Sequence, residues 1–352
     1  MPHTVTGWSR AAAGPESRGV ANRLGPGSTH HEASQIECHL SVQQSRAPVD
    51  AYPLAHLLPC QRVRLMRKES VMPTVDLTAG TIHYLDTGGD GPVAVLLHGV
   101  NMDATLWRHV VAHLGANVRC ICPTLPLGSH QEPMDRTELV THRGVSAMVG
   151  ELLEALDLED VALVLNDWGG AQFLMADGPS HRIAGAALVA CEAFENFPPG
   201  RPGKAVAASA RVPGLLWVSM QLQRFGWFRS APGGWGWMSK TRVPDEVMDS
   251  WFEPAQRDPR VRRDLKTFAL STPSRQELQD LVSRLASFDR PVLVAWATED
   301  RLMPREHGRQ LAELFPRARL VEIEGSYTLV PEDQPERLAA ELLRFITEDV
   351  AA

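Results

Sequence analysis

Asn166-Asp167-Trp168-Gly169-Gly170 stands between an apolar run at 161–165 and a helical pattern. A sharp strand-to-helix turn backed by glycines lifts one side chain over the end of a sheet, which is how a nucleophile is presented to substrate. Here that side chain is Asp167. A carboxylate needs no general base to attack carbon, since an aspartate of ordinary pKa is already ionised at neutral pH. The other role open to Asp167 is a helix N-cap, which aspartate also favours. A second apolar run, at 93–97, ends in His98-Gly99, so two strand ends carry residues of chemical interest.

Such a turn requires strands that alternate with helices. Residues 75–77 and 81–85 read as a hairpin around Ala79-Gly80, followed by a strand at 93–97, a helix at 104–114 and a strand at 118–121. A helix near 145–156, the strand 161–165, a helical stretch at 169–176 and an apolar run at 186–189 come next. Strand 291–297, helix 306–314, strand 320–323 and helix 335–346 close the chain. This order specifies an α/β class with a mostly parallel sheet, helices on both faces, and a site at the carboxyl ends of the strands.

Residues 196–290 break the pattern, being helical throughout, with Asp258-Pro259 at cap and first-turn positions and Ser274 and Glu277 at capping-box spacing. They read as an inserted helical lid on a core made of 72–195 and 291–352. Trp217, Trp227, Trp235, Trp237 and Trp251 lie in the lid, either roofing a pocket or forming its own small core. Residues 1–71 lack sustained periodicity and read as a disordered extension, with the functional chain expected to begin near Met72.

Lys plus Arg 35 against Asp plus Glu 42 gives a net charge of -7, and the one compact basic cluster is Arg62, Arg64, Arg67 and Lys68. That balance argues against a nucleic-acid partner. Hydrophobic residues at 44% and charged residues at 22% suit an ordinary globular core. No apolar run approaches the roughly 18 residues of a membrane span, so no membrane partner is expected. An odd number of cysteines without C-x-x-C spacing fits a reducing, cytoplasmic compartment. His30 with His31, and His109 with His113, lack further ligands at metal spacing; neither a metal nor a cofactor is expected, and the partner is a small-molecule substrate.

The motifs at His98-Gly99, Asp167 to Gly170, Glu192-Ala193 and 291–304 resemble those of the α/β-hydrolase superfamily, over about residues 73–350 in order of elements. Within it they resemble the haloalkane dehalogenase and epoxide hydrolase branch, whose nucleophile is an aspartate; Asp167-Trp168-Gly169-Gly170 is dehalogenase-like. Residues 166–171 and 326–335 are also similar to a bacterial branch carrying N-D-x-G-G-A and S-Y-T-L-x-P-E-D-Q-P. The resemblance implies an α/β-hydrolase fold and hydrolysis of a small, largely apolar substrate through an alkyl-enzyme ester on Asp167. It implies that the Trp168 indole N–H holds a departing halide. Asn101 is the nearest second donor, one place later than the family's asparagine, with Val100 directly after His98-Gly99. The amides of Val100 and Trp168 would form the oxyanion hole.

A second half-reaction needs a base that activates water and an acid that orients the base. By resemblance the acid is Glu192 or Asp300, although either could be a solvated loop carboxylate and Asp300 a helix cap. The family's histidine is missing: Gly325-Ser326-Tyr327-Thr328 occupies its segment, and no histidine follows His307. His130, after the strand 118–121, is the candidate relocated base, with His142 behind it; His98 reads as structural and His307 as a surface helix residue. An ordinary epoxide hydrolase is disfavoured because none of Tyr52, Tyr84 and Tyr327 falls in 196–290. The competing class is a hydrolase-fold protein that binds an apolar ligand or a protein without catalysis. Three retained carboxylates oppose it, because burying charge without a use is costly.

Overall fold

The apolar runs pair into one eight-stranded sheet in a computed structural model that describes residues 72–351, save residue 179. The expected extension at 1–71, with Cys38, Cys60, His30, His31 and the compact basic cluster, lies outside the described residues. The strands are β1 (Thr74–Leu77), β2 (Gly80–Asp86), β3 (Val93–Leu97), β4 (Arg119–Pro123), β5 (Val161–Asp167), β6 (Ile183–Cys191), β7 (Val292–Ala297) and β8 (Ala318–Ile323). Their order is β1-β2-β4-β3-β5-β6-β7-β8. β2 runs antiparallel to β1 and β4, and every other pairing is parallel.

β5 is buried at every position, as expected of a parallel strand covered on both faces. From β3 the chain crosses first to β4 on one side and then to β5 on the other. The reversal opens a crevice at the carboxyl ends of β3 and β5. His98-Gly99 and Asp167 stand there. Helices Arg108–Leu114 and Pro335–Arg344 pack together, as do His142–Ala155 and Gln172–Asp177.

Local chemistry moves several boundaries. The expected helix at 104–114 is a 3-10 turn, Ala104–Trp107, capped by Asp103, followed by the α-helix Arg108–Leu114. The helix expected from 145 begins at His142, because the Thr141 hydroxyl accepts from the Gly144 N–H at 3.0 Å. The stretch after Asp167 becomes helical only at Gln172, since Gly170 adopts φ 72° in the turn.

Between β6 and β7 the described chain is helical, chiefly Gly200–Arg211, Leu215–Leu222, Asp245–Arg257, Pro259–Leu270 and Arg275–Leu285. Asp258 caps the fourth of these, and Ser274 with Glu277 forms a capping box on the fifth. Two carboxylates, the buried Asp264 and the half-buried Asp333, tie this insertion to the rest of the chain. Asp264 accepts from the Met134 N–H at 2.8 Å and the Thr137 hydroxyl at 2.5 Å. Asp333, beyond β8, accepts from the Lys240 and Thr241 amides at 2.9 and 2.6 Å. The insertion's tryptophans do not act as a group. Trp251 is sealed beneath Trp235, whereas Trp217 and Trp227 are 50% and 69% exposed and neither roof a cavity nor form a core.

Candidate active site

Asp167 ends β5 with φ 59°, a conformation that costs a non-glycine residue energy and holds only where its neighbours enforce it. The enforcement is visible. Asp167 accepts the Glu192 N–H at 3.1 Å through its carbonyl, and the Trp168 carbonyl accepts the Val100 N–H at 3.1 Å. Its carboxyl lies directly on Gly99, where a Cβ would come within 2.3 Å of Oδ2. The glycine of His98-Gly99 is therefore clearance for the Asp167 side chain. His98 holds the same turn: Nδ1 faces the Gly99 carbonyl at 2.8 Å and Nε2 accepts the Leu125 N–H at 2.9 Å. Burial lowers its pKa to about 4, so it is neutral and structural.

Burial also pushes the Asp167 carboxyl up to about 7; the Trp168 N–H pulls it down and Asp300 adds to the rise. At neutral pH the desolvated group is therefore only partly ionised, unlike an aspartate of ordinary pKa. Glu192 is buried beside the turn. Its Oε1 accepts from the Gly170 N–H at 2.6 Å and the Gly169 N–H at 3.3 Å, and burial raises its pKa to about 8. Glu192 thus braces the turn's amides and meets no imidazole.

Asp300 follows β7. Its Oδ1 accepts from the Leu302 and Met303 amides at 2.7 and 3.0 Å and from the Thr328 hydroxyl at 2.8 Å. Its Oδ2 is shut from solvent and has no partner, and burial lifts the pKa to about 6. Thr328 is fully buried and its carbonyl accepts Asn166 Nδ2 at 2.9 Å. Tyr327 lies over Arg301, 4.5 Å from the guanidinium carbon to the ring centroid. Of these two residues, Thr328 is the one whose side chain reaches Asp300.

The histidines are engaged elsewhere. His130 is buried, with Nε2 3.2 Å from Asp264 Oδ2 and Nδ1 accepting the Gly128 N–H at 3.4 Å. An imidazole with both nitrogens engaged has no lone pair free for water. His142 receives the Trp168 indole N–H on Nε2 at 2.7 Å. An indole only donates, which places the proton of this ring on Nδ1, facing the Ser271 hydroxyl at 2.9 Å. Burial drives the His142 pKa to about 3. Phe268 stacks on this imidazole with centroids 4.2 Å apart. His307, expected at the surface, is instead buried with Phe194 edge-on at 5.3 Å.

Two further expected donors are differently occupied. The Val100 N–H is bonded to the Trp168 carbonyl, and only the Trp168 amide is turned toward the Asp167 carboxyl. The expected halide donor, the Trp168 indole, is held by His142. Asn101 is buried with φ 56°, its N–H on the Leu127 carbonyl at 2.9 Å and its Oδ1 without a partner. The structure brings Asp167, Glu192, Asp300, Trp168 and Thr328 into one neighbourhood, and ties His130 to the helical insertion. The Trp168–His142 bond was missed from sequence, where nothing in the spacing of 142 and 168 couples them. Among the described residues no three His, Cys, Asp or Glu side chains are grouped to hold a metal ion.

A strained aspartate on a strand-to-helix turn, glycine clearance beneath it and a reversal of strand order beside it define an α/β enzyme crevice. The "Alpha/beta hydrolase family" pattern matches residues 94–341, and the chain belongs to that family. A haloalkane dehalogenase of Mesorhizobium japonicum is 30% identical over 163 residues, 45% of this chain and 51% of that one. The chain thus spans about half the length of that relative. Haloalkane dehalogenase 2 of Mycobacterium tuberculosis is 25% identical over 278 residues, 76% of this chain and 92% of that one. The crystal structure of the haloalkane dehalogenase DbeA from Bradyrhizobium elkani superposes with a TM-score of 0.63 at 20% identity, covering 80% of this chain and 99% of that one, which supports the shared fold.

Proposed function

We propose that the protein is a hydrolase of small, largely apolar carbon electrophiles, haloalkane dehalogenase-like, in which Asp167 is the nucleophile and the helical insertion is the lid. The observation that carries this is Asp167 at φ 59° on the strand-to-helix turn, its carboxyl seated on Gly99. In the first step an Asp167 oxygen attacks carbon in line. The C–O bond forms, the bond to the leaving group breaks, and the leaving group departs with the electron pair. In the second step water adds to the ester carbonyl, the Trp168 N–H stabilises the oxyanion, the bond from the carbonyl carbon to the alkyl oxygen breaks, Asp167 is regenerated as its acid, and the alcohol leaves with a proton from the water.

These two steps are unequally served. The first needs only the ionised Asp167, whereas the second needs a base, and Thr328 cannot accept a proton as imidazole does. Asp300 retains the place of the orienting acid, Glu192 holds the turn, and the ester on Asp167 persists. His130 enters this reading as a link to the lid.

A non-catalytic binder is the second reading, favoured by the Trp168 indole being donated to His142 and not left for a leaving group. Incubation with a panel of reactive alkyl halides, followed by intact mass measurement and peptide mapping, separates the two. The hydrolase reading expects one alkyl group on Asp167 that is lost slowly. No adduct, or an adduct elsewhere, supports the binder.

A further inference from the structure

The large apolar side chains most open to solvent are concentrated in one place. Val212, Leu215, Trp217, Val218, Phe225 and Trp227 are all exposed; elsewhere among the described residues only Met72 and Leu270 are comparable. The first four surround the turn into helix Leu215–Leu222, and the other two follow its end. This helix is apolar nearly all round, reading LLWVSMQL. Helices of that kind are normally buried on every side. Here Leu216 and Met220 face inward while the opposite edge carries Trp217 and Val218 to solvent. Phe225 and Trp227 stack with centroids 6.3 Å apart. An exposed apolar surface of this extent marks a docking face.

The charge around it has one sign. Residues 196–244 contain seven Lys or Arg and no Asp or Glu, within a chain of net charge -7. The basic residues are dispersed, so they form no compact run in the sequence. Arg229, Lys240 and Arg242 are neutralised by Asp249, Glu299 and Asp245. Lys204, Arg211 and Arg224 are exposed and form no ion pair among the described residues. On the neighbouring helix Asp245–Arg257, Asp245 pairs with the exposed Arg242, Asp249 with the buried Arg229 and Glu253 with Arg257, leaving Glu246 as the remaining acid.

We propose that this face docks the protein on a lipid bilayer surface carrying anionic headgroups. Tryptophan and phenylalanine rings suit the boundary between headgroups and acyl chains, and a basic rim adds attraction to anionic lipid. The chemistry opposes a second copy as the occupant. A symmetric contact through this patch would set Lys204, Arg211 and Arg224 of one copy near those of the other. None of the described helices is long and apolar enough to cross a bilayer. Surface docking needs no such segment. It stands independently of the catalytic reading, since none of these side chains touches Asp167.

Co-sedimentation of the full chain with phosphatidylserine-containing vesicles, against pure phosphatidylcholine vesicles, tests the proposal. Binding should favour the anionic vesicles, weaken with salt, and shift tryptophan emission to the blue. The combined change Trp217→Ser and Trp227→Ser should weaken binding about tenfold or more. Lys204→Ser, Arg211→Ser and Arg224→Ser together should weaken anionic-vesicle binding on the order of a hundredfold. All five positions are exposed, and an unchanged melting temperature verifies that the variants fold. Failure of the wild type to bind either vesicle overturns the proposal, as does binding that the triple charge variant leaves intact. A dimer in sedimentation equilibrium that the double tryptophan variant dissociates also overturns it, by showing that a second copy covers the face.

Discussion

The carboxyl end of β5 and the loops after β7 and β8 lie near enough for Asp300 to raise the Asp167 pKa, yet they are built to different degrees. At β5 the backbone strain, the clearance at Gly99, the turn at Gly170 and the brace from Glu192 all serve one side chain. At β7 and β8 the Asp300 carboxyl meets amides and a hydroxyl but no imidazole, its Oδ1 accepting from Leu302, Met303 and Thr328. The proposed nucleophile is thus placed by many backbone contacts of the turn. The proposed second half-reaction depends on a single side chain for its base, and the Thr328 hydroxyl meets one oxygen of Asp300 where the proposal looks for that base.

The strongest way to break this contrast is Asp167→Asn. It should abolish adduct formation entirely, read as loss of the mass increment; an adduct surviving elsewhere would remove Asp167 from the nucleophile's role. Next is Thr328→His, which puts an imidazole beside the Asp300 carboxyl. Ester release should accelerate roughly 100- to 10,000-fold, the usual range for acid–base assistance, measured as the decay of the adduct mass. A folded Thr328→His protein with unchanged release would mean that the base belongs elsewhere. His130→Ala addresses that alternative: it should leave release within a few fold while lowering stability by about 1–3 kcal/mol, because Asp264 loses a partner. A drop of roughly 100-fold or more in release would instead restore His130 as the base.

A smaller effect, graded with pH, sharpens the β5 side. Only the ionised carboxylate attacks, so the alkylation rate should rise about tenfold per pH unit below the Asp167 pKa of about 7 and level off above it. A flat profile from pH 5 to 8 would contradict the desolvated carboxyl. Stability should move oppositely. Asp167, Glu192 and Asp300 have native pKa values of about 7, 8 and 6, raised above their unfolded values. The native state therefore binds more protons, and the stability linked to these groups is full below about pH 4 and is lost as pH rises through 6 to 8. Glu192→Gln should flatten the decline in melting temperature across that window; a decline of unchanged slope would place the titration elsewhere.

Much of this architecture is legible in the chain because the signals are local. The apolar run before Asn166, the glycines after Trp168, and the spacing of Ser274 and Glu277 each act within one turn or strand, where sterics and capping decide the outcome. The absence of histidine from the segment after β8 is equally plain, since it concerns which residue occupies a position. Sequence also narrowed the acid to two residues, Glu192 and Asp300. Separating their roles required the fold, because Glu192 turns to the Gly169 and Gly170 amides while Asp300 meets Thr328.

What only the tertiary structure decided concerns groups far apart in the chain that compete for the same donor or for burial. The Trp168 indole goes to His142, His130 to Asp264, and the Val100 amide to the Trp168 carbonyl. Each bond is settled by which partner packing brings within about 3 Å, a distance that spacing along the chain does not encode. The same holds for the Asp167 pKa, which reflects how completely the folded chain removes water from a carboxyl. The sequence by itself determined which groups the crevice contains; packing determined which of them are free to react.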